Sequence, residues 1–513
     1  MKSSIFAEKI YLNVEVFMIQ RKIIRVLLYS ILLVFVLLSL ARSFGQYRAM
    51  RLDGDIAESV LPYPDIQKTF DDPTGIKTII NNDKHLGANR FFSHYFLHIT
   101  FRKIPLFLQN FTNPIESVYL TSAISKTAMQ IMILLLLVVI LNGKTDIFSL
   151  RFISTAALLI PFFQTNGRYL AFQIGMIDKA VSYSFFYALP LVFLLLYYIP
   201  IFLELLHHKR VKMNGFKITL WSIFAIISCF SGPLNSPVIL ITNLLLFLYL
   251  FFRSWKDAPV ESFYKRIKTS IQNIDKRFYL FLFPITFLAL YSTFLGTYID
   301  AYAKLQLSLK ELYLILPQGV LNSFTSCSYL IFMFLLISNY LIVLFKYKND
   351  EQSRRIFGLY KFLIAFSIIY LLLLPFGGYR PYRPLILRYD TIIPITVLSI
   401  ITICYTSLFI FKQLKTEKWK YYLKTLYPSI YILILLFFLI KNQTYIFNKY
   451  EKTSLYLISQ SEEEIIALQD DYCVISWGPL TAPSQSRTYG KLLYLWRITD
   501  EPKLYYNAPP QEP

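Results

Sequence analysis

Charge is scarce in this 513-residue sequence: Asp, Glu, Lys and Arg together make up only 16% of it. Soluble domains carry about a quarter, so there are too few ionised groups to cover most of this chain in water. Cysteine is scarcer still. Of the four, Cys229, Cys327 and Cys404 fall within or beside apolar runs and Cys473 stands alone, which excludes a disulfide framework and any cysteine-based metal spacing. No HExxH pair, Gly-rich phosphate loop or internal repeat occurs, and cytosolic ATP hydrolysis therefore has no motif to rest on. His94 and His98, four apart, are the one histidine pair with ligand spacing. Of the two signs of charge the acids are the rarer, 31 against 52 Lys and Arg, for a formal net charge of +21.

Apolar residues fill the chain instead: 55% are hydrophobic and 17% aromatic, with a mean hydropathy of +0.47. Runs near the length of about 20 residues that crosses hydrocarbon recur at 23–41, 119–141, 147–163, 180–206, 215–231, 236–252, 278–298, 324–345, 359–376, 391–411 and 425–441. The fold class expected is an all-α polytopic membrane protein of about eleven transmembrane helices. The run 147–163 is short, and 215–231 is separated from its successor only by SGPLNSP, so either can be re-entrant.

Short loops rich in Lys and Arg stay on the cytoplasmic side. With the N-terminus inside, the inner connections are HHKRVK (207–212), RSWKDAPVESFYKRIKTSIQNIDKR (253–277), KYKNDEQSRR (346–355) and KQLKTEKWKYYLK (412–424), all strongly basic. The opposite connections carry few cations, and an odd number of spans leaves the C-terminus outside. The excess positive charge thus reads as topology signal and as contact with membrane lipids; nucleic acid is not an expected partner. Arg21, Lys22 and Arg25 precede the first apolar run, which reads as a retained anchor rather than a signal peptide because its core is long and more spans follow. Three parts result: a cytoplasmic N-terminus 1–22, a transmembrane domain 23–441 containing the extracytoplasmic loop 42–118, and a small extracytoplasmic α/β appendage 442–513.

The loop 42–118 holds turn signals (LPYPD, DDPTG) and then NRFFSHYFLHITFRKIPLFLQNF, a pattern suited to helices lying along the membrane surface. In the appendage EEEIIALQD reads as a short helix, YCVISW as a strand, KLLYLWRI as a strand or short helix, and NAPPQEP as a disordered end. Directly after the first span comes RLDGDIAESVLPYPD (51–65). Asp53 and Asp55 can cap a turn around Gly54. As carboxylates at the interface they can also serve as base toward an acceptor, or hold a divalent cation such as Mg or Mn that neutralises a phosphate leaving group. Glu58 lies one turn further on and is read with them as a substrate contact.

A second constellation is GGYRPYRPLILRYD (377–390), with Arg380, Arg383, Arg388, Tyr379 and Tyr382. Guanidinium groups hold phosphate oxygens bidentately, and tyrosines offer stacking surface for sugar rings. The alternative is anchoring at headgroup depth, but three arginines on the outer face run against the positive-inside bias. Arg168, Asp178, Lys304, Lys310 and Glu311 are further outer-face residues able to line the same cleft.

An acidic D-x-D in the first outer loop, directly after the first helix of a chain with this many spans, resembles the GT-C class of glycosyltransferases. That class includes protein mannosyltransferases, oligosaccharyltransferase catalytic subunits and aminoarabinose transferases. The resemblance covers the layout of the whole chain and, at the level of motif, Asp53 and Asp55; the WWD-type motif of oligosaccharyltransferases is absent. It implies that Asp53 or Asp55 is the catalytic base or metal ligand, and that the donor is a sugar on a polyprenyl phosphate or diphosphate. It also implies amphipathic helices in the first outer loop and a terminal domain outside the membrane. The expected function is transfer of that sugar to an extracytoplasmic acceptor, in the bacterial cytoplasmic membrane. An O-antigen-type polysaccharide polymerase, or a lipid or solute transporter, is the alternative; a transporter calls for ionisable residues in mid-span.

Overall fold

In a computed structural model of the chain the apolar runs fold into helices. The structure describes residues 2–163, 176–212, 214–258, 262–299, 305, 307–325, 327–380, 385–416, 421–440, 448–468 and 473–508. Helix α1 (Lys2–Arg48) is followed by four helices of the first loop, α2 (Asp55–Val60), α3 (Pro64–Asp71), α4 (Ile76–Ile80) and α5 (Phe91–Leu108). Then come α6 (Pro114–Asn142), α7 (Leu150–Leu159) and α8 (Val181–Tyr183), which a π turn joins to α9 (Leu189–His207). Beyond these lie α10 (Gly215–Cys229), α11 (Asn235–Asp257), α12 (Phe263–Gln272), α13 (Lys276–Leu295), α14 (Leu309–Phe324), α15 (Cys327–Tyr347), α16 (Glu351–Leu373), α17 (Ile393–Thr416) and α18 (Tyr421–Ile440). The last part comprises α19 (Lys449–Gln460), β1 (Ile465–Leu468), α20 (Arg487–Leu495) and β2 (Leu504–Asn507).

Local chemistry fixes several of these boundaries. Asn113 caps α6 by accepting the Glu116 N–H at 2.9 Å, with Pro114 in the first turn, where its missing N–H costs nothing. Gly143 ends the same helix at φ 65°, a left-handed position that glycine tolerates best. Ser308 and Glu311 form a reciprocal capping box at the start of α14.

Eight helical segments among the described residues are long and apolar enough to cross a membrane: Ile19–Arg48, Pro114–Asn142, Val181–His207, Asn235–Asp257, Lys276–Tyr298, Tyr329–Tyr347, Glu351–Gly377 and Ile393–Leu414. The remaining three expected spans correspond to shorter apolar helices, Leu150–Phe163, Gly215–Cys229 and Lys424–Phe437. The chain is an all-α polytopic integral membrane protein. Ile393–Leu414 is the most enclosed span, 89% buried, and Ile19–Arg48 the least, 11%; α17 is therefore central, and α1 presents its leucines and valines to lipid.

Hydrogen bonds sort the connections into two ends. At one end His207 donates from Nε2 to the Ile140 carbonyl at 2.8 Å, Lys209 donates to Gly143 O at 2.6 Å, and Arg355 to Leu206 O at 3.2 Å. Arg277 and Arg210 both lie 3.6 Å from Glu204, and Gln413 donates to Asp350. The four basic loops thus meet on one face. At the other end the Phe92 N–H donates to Phe230 O at 3.1 Å, Asn89 to Ser292 O at 3.1 Å, and Asn448 N–H to Ala49 O at 3.1 Å. The first loop and the C-terminal part share that second face.

The C-terminal part is tied down at several points. Glu451, fully enclosed, accepts the Leu52 N–H at 3.0 Å, the Ile475 N–H at 3.0 Å and the Tyr119 hydroxyl at 2.7 Å. Trp496 is 0% exposed and donates its indole N–H to Phe101 O at 2.8 Å. The segment EEEIIALQD is not a helix: Ile465–Leu468 is a strand, paired in parallel with Leu504–Asn507. Its alternating exposed and buried side chains and its β-branched Ile465 and Ile466 fit that pairing, and a partner strand outweighs the helical tendency of three glutamates. Val474–Trp477 forms bends rather than a strand, and KLLYLWRI supplies most of α20.

Candidate functional site

Helix α1 stops at Arg48, and the next residues cross over the end of the bundle that the first loop shares with the C-terminal part. Leu52 is held by Glu451, which turns Asp53 inward. Asp53 is 4% exposed. Its Oδ2 accepts the Ser182 N–H at 3.1 Å, while its buried Oδ1 has no hydrogen-bond partner. Burial first, and the negative charge of Asp55 second, push this carboxyl up to about 7, against the pull of Ser182 and Lys126. An Asp so placed exchanges its proton near neutral pH instead of staying ionised.

Gly54 admits the close approach of another part of the chain. A Cβ there would lie 2.8 Å from the Trp477 ring. Trp477 packs at 5.4 Å from the Tyr183 ring and donates its indole N–H to Asp55 Oδ1 at 2.7 Å. Asp55 opens α2, half-buried, and Glu58 lies exposed one turn later. The negative charges of both reach Tyr489 of α20.

Behind Asp53 stands a residue that sequence reasoning missed. Lys126 of α6 is 0% exposed; its ammonium donates to the Lys179 carbonyl and to Met50 Sδ at 3.4 Å, and lies 5.7 Å from the Tyr47 ring centre. It interacts electrostatically with Asp178 and Asp53. A lone lysine inside an apolar run is costly, and SAISKTAMQ within the span 119–141 carried that signal. Asp178 is raised to about 6, chiefly by burial and then by Asp390, and is drawn down by Ala180 N–H, Lys126 and Arg388. Asp390, the second residue missed, is 5% exposed and pairs with Arg388 at 2.7 Å. Arg388 also reaches the Tyr187 hydroxyl at 3.5 Å. Carboxylates and cations therefore alternate from Asp53 through Lys126 and Asp178 to Arg388 and Asp390, along neighbouring parts of α6, α8 and the start of α17.

The structure brings Asp53, Asp55, Glu58, Asp178 and Arg388 to this one face. Arg380 lies on the same connection, half-buried. Tyr379 is 1% exposed, and its hydroxyl donates to Leu312 O at 2.9 Å; in this arrangement it anchors α14. Arg168, Arg383, Tyr382 and Lys304 lie outside the described residues, while Lys310 and Glu311 open α14, where Glu311 serves the capping box. His94 and His98 do not converge on a common point. The Ser59 hydroxyl is 3.2 Å from His94 Nδ1, and His98 Nδ1 is 3.1 Å from the Ser59 carbonyl, so the pair fixes α2 on α5. Among the described residues no three His, Cys, Asp or Glu side chains gather as a metal site. Asp53 faces Ser182 and Asp55 faces Trp477, so these two do not form a pair of oxygen ligands, and no step is assigned to a metal. Compared with known protein families and with characterised proteins, the chain matches no family model and no relative.

Proposed function

We propose that the protein is an integral-membrane glycosyltransferase of the GT-C type, moving a sugar from a polyprenyl-phosphate donor to an acceptor on the extracytoplasmic face. The observation that carries this reading is Asp53: a buried carboxyl, raised to about 7, with one oxygen unpartnered. A general base works best when its pKa lies near the working pH. In the reaction Oδ1 takes the proton of the acceptor hydroxyl as its oxygen bonds to the anomeric carbon. The bond from that carbon to the phosphate oxygen breaks, and polyprenyl phosphate departs. Arg388, with Arg380 and Arg383 on the same connection, stabilises the charge on the leaving phosphate. Asp55 and Glu58 orient the acceptor.

The gathering of the basic loops at one end favours eleven crossings with the N-terminus in the cytoplasm, as in a bacterial inner membrane. Lys126 bears on the transporter alternative. Its contacts are Met50 and the Lys179 carbonyl, both at the outer end, so it serves an interfacial site rather than a mid-membrane pathway. Reconstitution with polyprenyl-phosphate sugars tests the reading. Release of polyprenyl phosphate with transfer of the sugar is expected. Release of a diphosphate would favour a polymerase, and movement of unmodified lipid or solute a transporter.

A further inference from the structure

A cleft of about 780 Å³ opens on the outer face between α3, α5 and α20, and neither Asp53 nor Asp55 lines it. One wall is a single face of α5: Phe91, Tyr95, His98 and Arg102 follow at spacings of four, three and four, which align on a helix. Its rings form a platform. Phe91 and Tyr95 stack at 5.4 Å, Phe70 meets Phe91 edge-on at 6.3 Å, and His98 lies 5.2 Å from Phe70. The opposite wall, from α20, adds Thr488 and Lys491, and α3 adds Gln67.

Three properties define what fits. Arg102 and Lys491 are both exposed, and neither forms an ion pair among the described residues, so two unpaired cations border the cleft, with the carboxylates of Glu58 and Asp65 confined to its Tyr63 rim. Because the Ser59 carbonyl only accepts, His98 carries its proton on Nδ1 and keeps a lone pair on Nε2. Burial, with the nearby charge of Arg102, lowers the His98 pKa, which keeps that lone pair available at neutral pH. The walls are also held in place: Trp496, next to α20, donates to Phe101 of α5, and a Cβ on Gly490 would strike the Lys503 carbonyl at 2.1 Å. A rigid cleft loses little entropy on binding.

We propose that this cleft binds an anionic saccharide, its ring faces lying on the Phe91 and Tyr95 rings and its acid group between Arg102 and Lys491. Apolar ring faces suit aromatic platforms, hydroxyls suit Gln67, Thr488 and His98, and carboxylate or phosphate suits the guanidinium fork. The cleft begins at Leu61, just past the end of α2, and six helical residues span roughly 9 Å. A saccharide held here thus reaches toward Asp55 and Asp53 at the other end of α2, as an acceptor does; that role, unlike the binding itself, rests on the transferase reading.

The test is binding of a galacturonic acid oligomer, and of its uncharged methyl ester, to the purified full chain at low and high salt. The acid is expected to bind at least about tenfold more tightly than the ester, with the difference shrinking in salt. Arg102→Gln with Lys491→Gln removes two exposed charges and should erase that difference, while Tyr95→Ala weakens both ligands. Equal binding of acid and ester, or unchanged binding in the double variant, overturns the proposal. So does binding confined to phosphatidylglycerol vesicles, which would assign the cations to lipid headgroups. Asp53→Asn should bind the acid as wild type does. Binding retained there, with no donor consumed by the wild-type protein, would sink the transferase reading and leave the saccharide site standing.

Discussion

Trp477 donates its indole N–H to Asp55 Oδ1 at 2.7 Å across 422 positions of sequence. The same ring packs on Tyr183, beside the Ser182 N–H that serves Asp53. One side chain from the C-terminal part therefore touches the surroundings of both acids. Trp477→Phe keeps an aromatic ring beside Tyr183 but removes the N–H and the bulk of the bicycle. A hydrogen bond at an exposed site contributes about 1 kcal/mol, so turnover should fall about fivefold with the melting temperature nearly unchanged. Steady-state transfer assays with matched thermal melts check this, and an unaltered rate would show that Asp55 needs no orientation.

If the transferase reading holds, Asp53→Asn should lower transfer by roughly 10²-fold or more, through loss of the base, without lowering abundance. Stability should respond in the opposite sense. Between the ordinary carboxyl value of 3.8 and about 7 the folded Asp53 holds a proton that the unfolded chain has released, so wild-type stability falls as pH rises through that window. The Asn variant lacks this slope and should equal or exceed wild type at pH 8. Melting curves at pH 5 and pH 8 measure it; a wild type that gains stability relative to the variant at pH 8 would contradict a buried, proton-holding Asp53.

Arg388→Lys keeps the charge opposite Asp390 and loses the planar fork. If the guanidinium holds a leaving phosphate, the variant should use donor at least about tenfold less well while folding normally. Unchanged kinetics would return this arginine to an anchoring role.

Glu451→Ala should be the most damaging single change outside the membrane. It leaves the Leu52 and Ile475 N–H groups and the Tyr119 hydroxyl without their acceptor, and a buried unpaired donor costs about 1–3 kcal/mol. Limited proteolysis should then release the C-terminal part, whereas wild type resists. A wild-type digestion pattern would rule out this carboxylate as the tie.

Single-cysteine labelling checks the two faces. Arg102→Cys and Lys491→Cys should react with an impermeant maleimide from one side of the membrane, and Lys348→Cys and Arg210→Cys only from the other. Cys229, Cys404 and Cys473 are buried, and Cys327 is replaced by serine in every variant to keep the background low. Labelling of positions 102 and 491 from opposite sides would break their shared face.

The spans were legible because about 20 apolar residues in sequence leave little choice of structure, and the clustering of the basic loops followed from their charge. Two things were not legible. Ile465–Leu468 depends on a partner strand some forty residues later, and no local pattern encodes that pairing. The buried charges depend on which polar residues face one another across helices: Asp53 was visible as part of a D-x-D, but its enclosure by Ser182 and Lys126 comes from α8 and α6. The histidine pair shows the converse. Its spacing suggested a metal, yet Ser59, on another helix, occupies both rings.

Glu451 also imposes an order in time. The oxygen that accepts the Leu52 N–H belongs to a residue synthesised 399 positions later, so while the ribosome is still adding the middle of the chain the segment carrying Asp53 can meet Ser182 but lacks its Glu451 tie. The nascent protein can insert helix after helix with its acid segment only partly fastened, and the last tie is made when the final stretch has emerged and reached the same face. A product of premature termination would sit in the membrane with Leu52 untied.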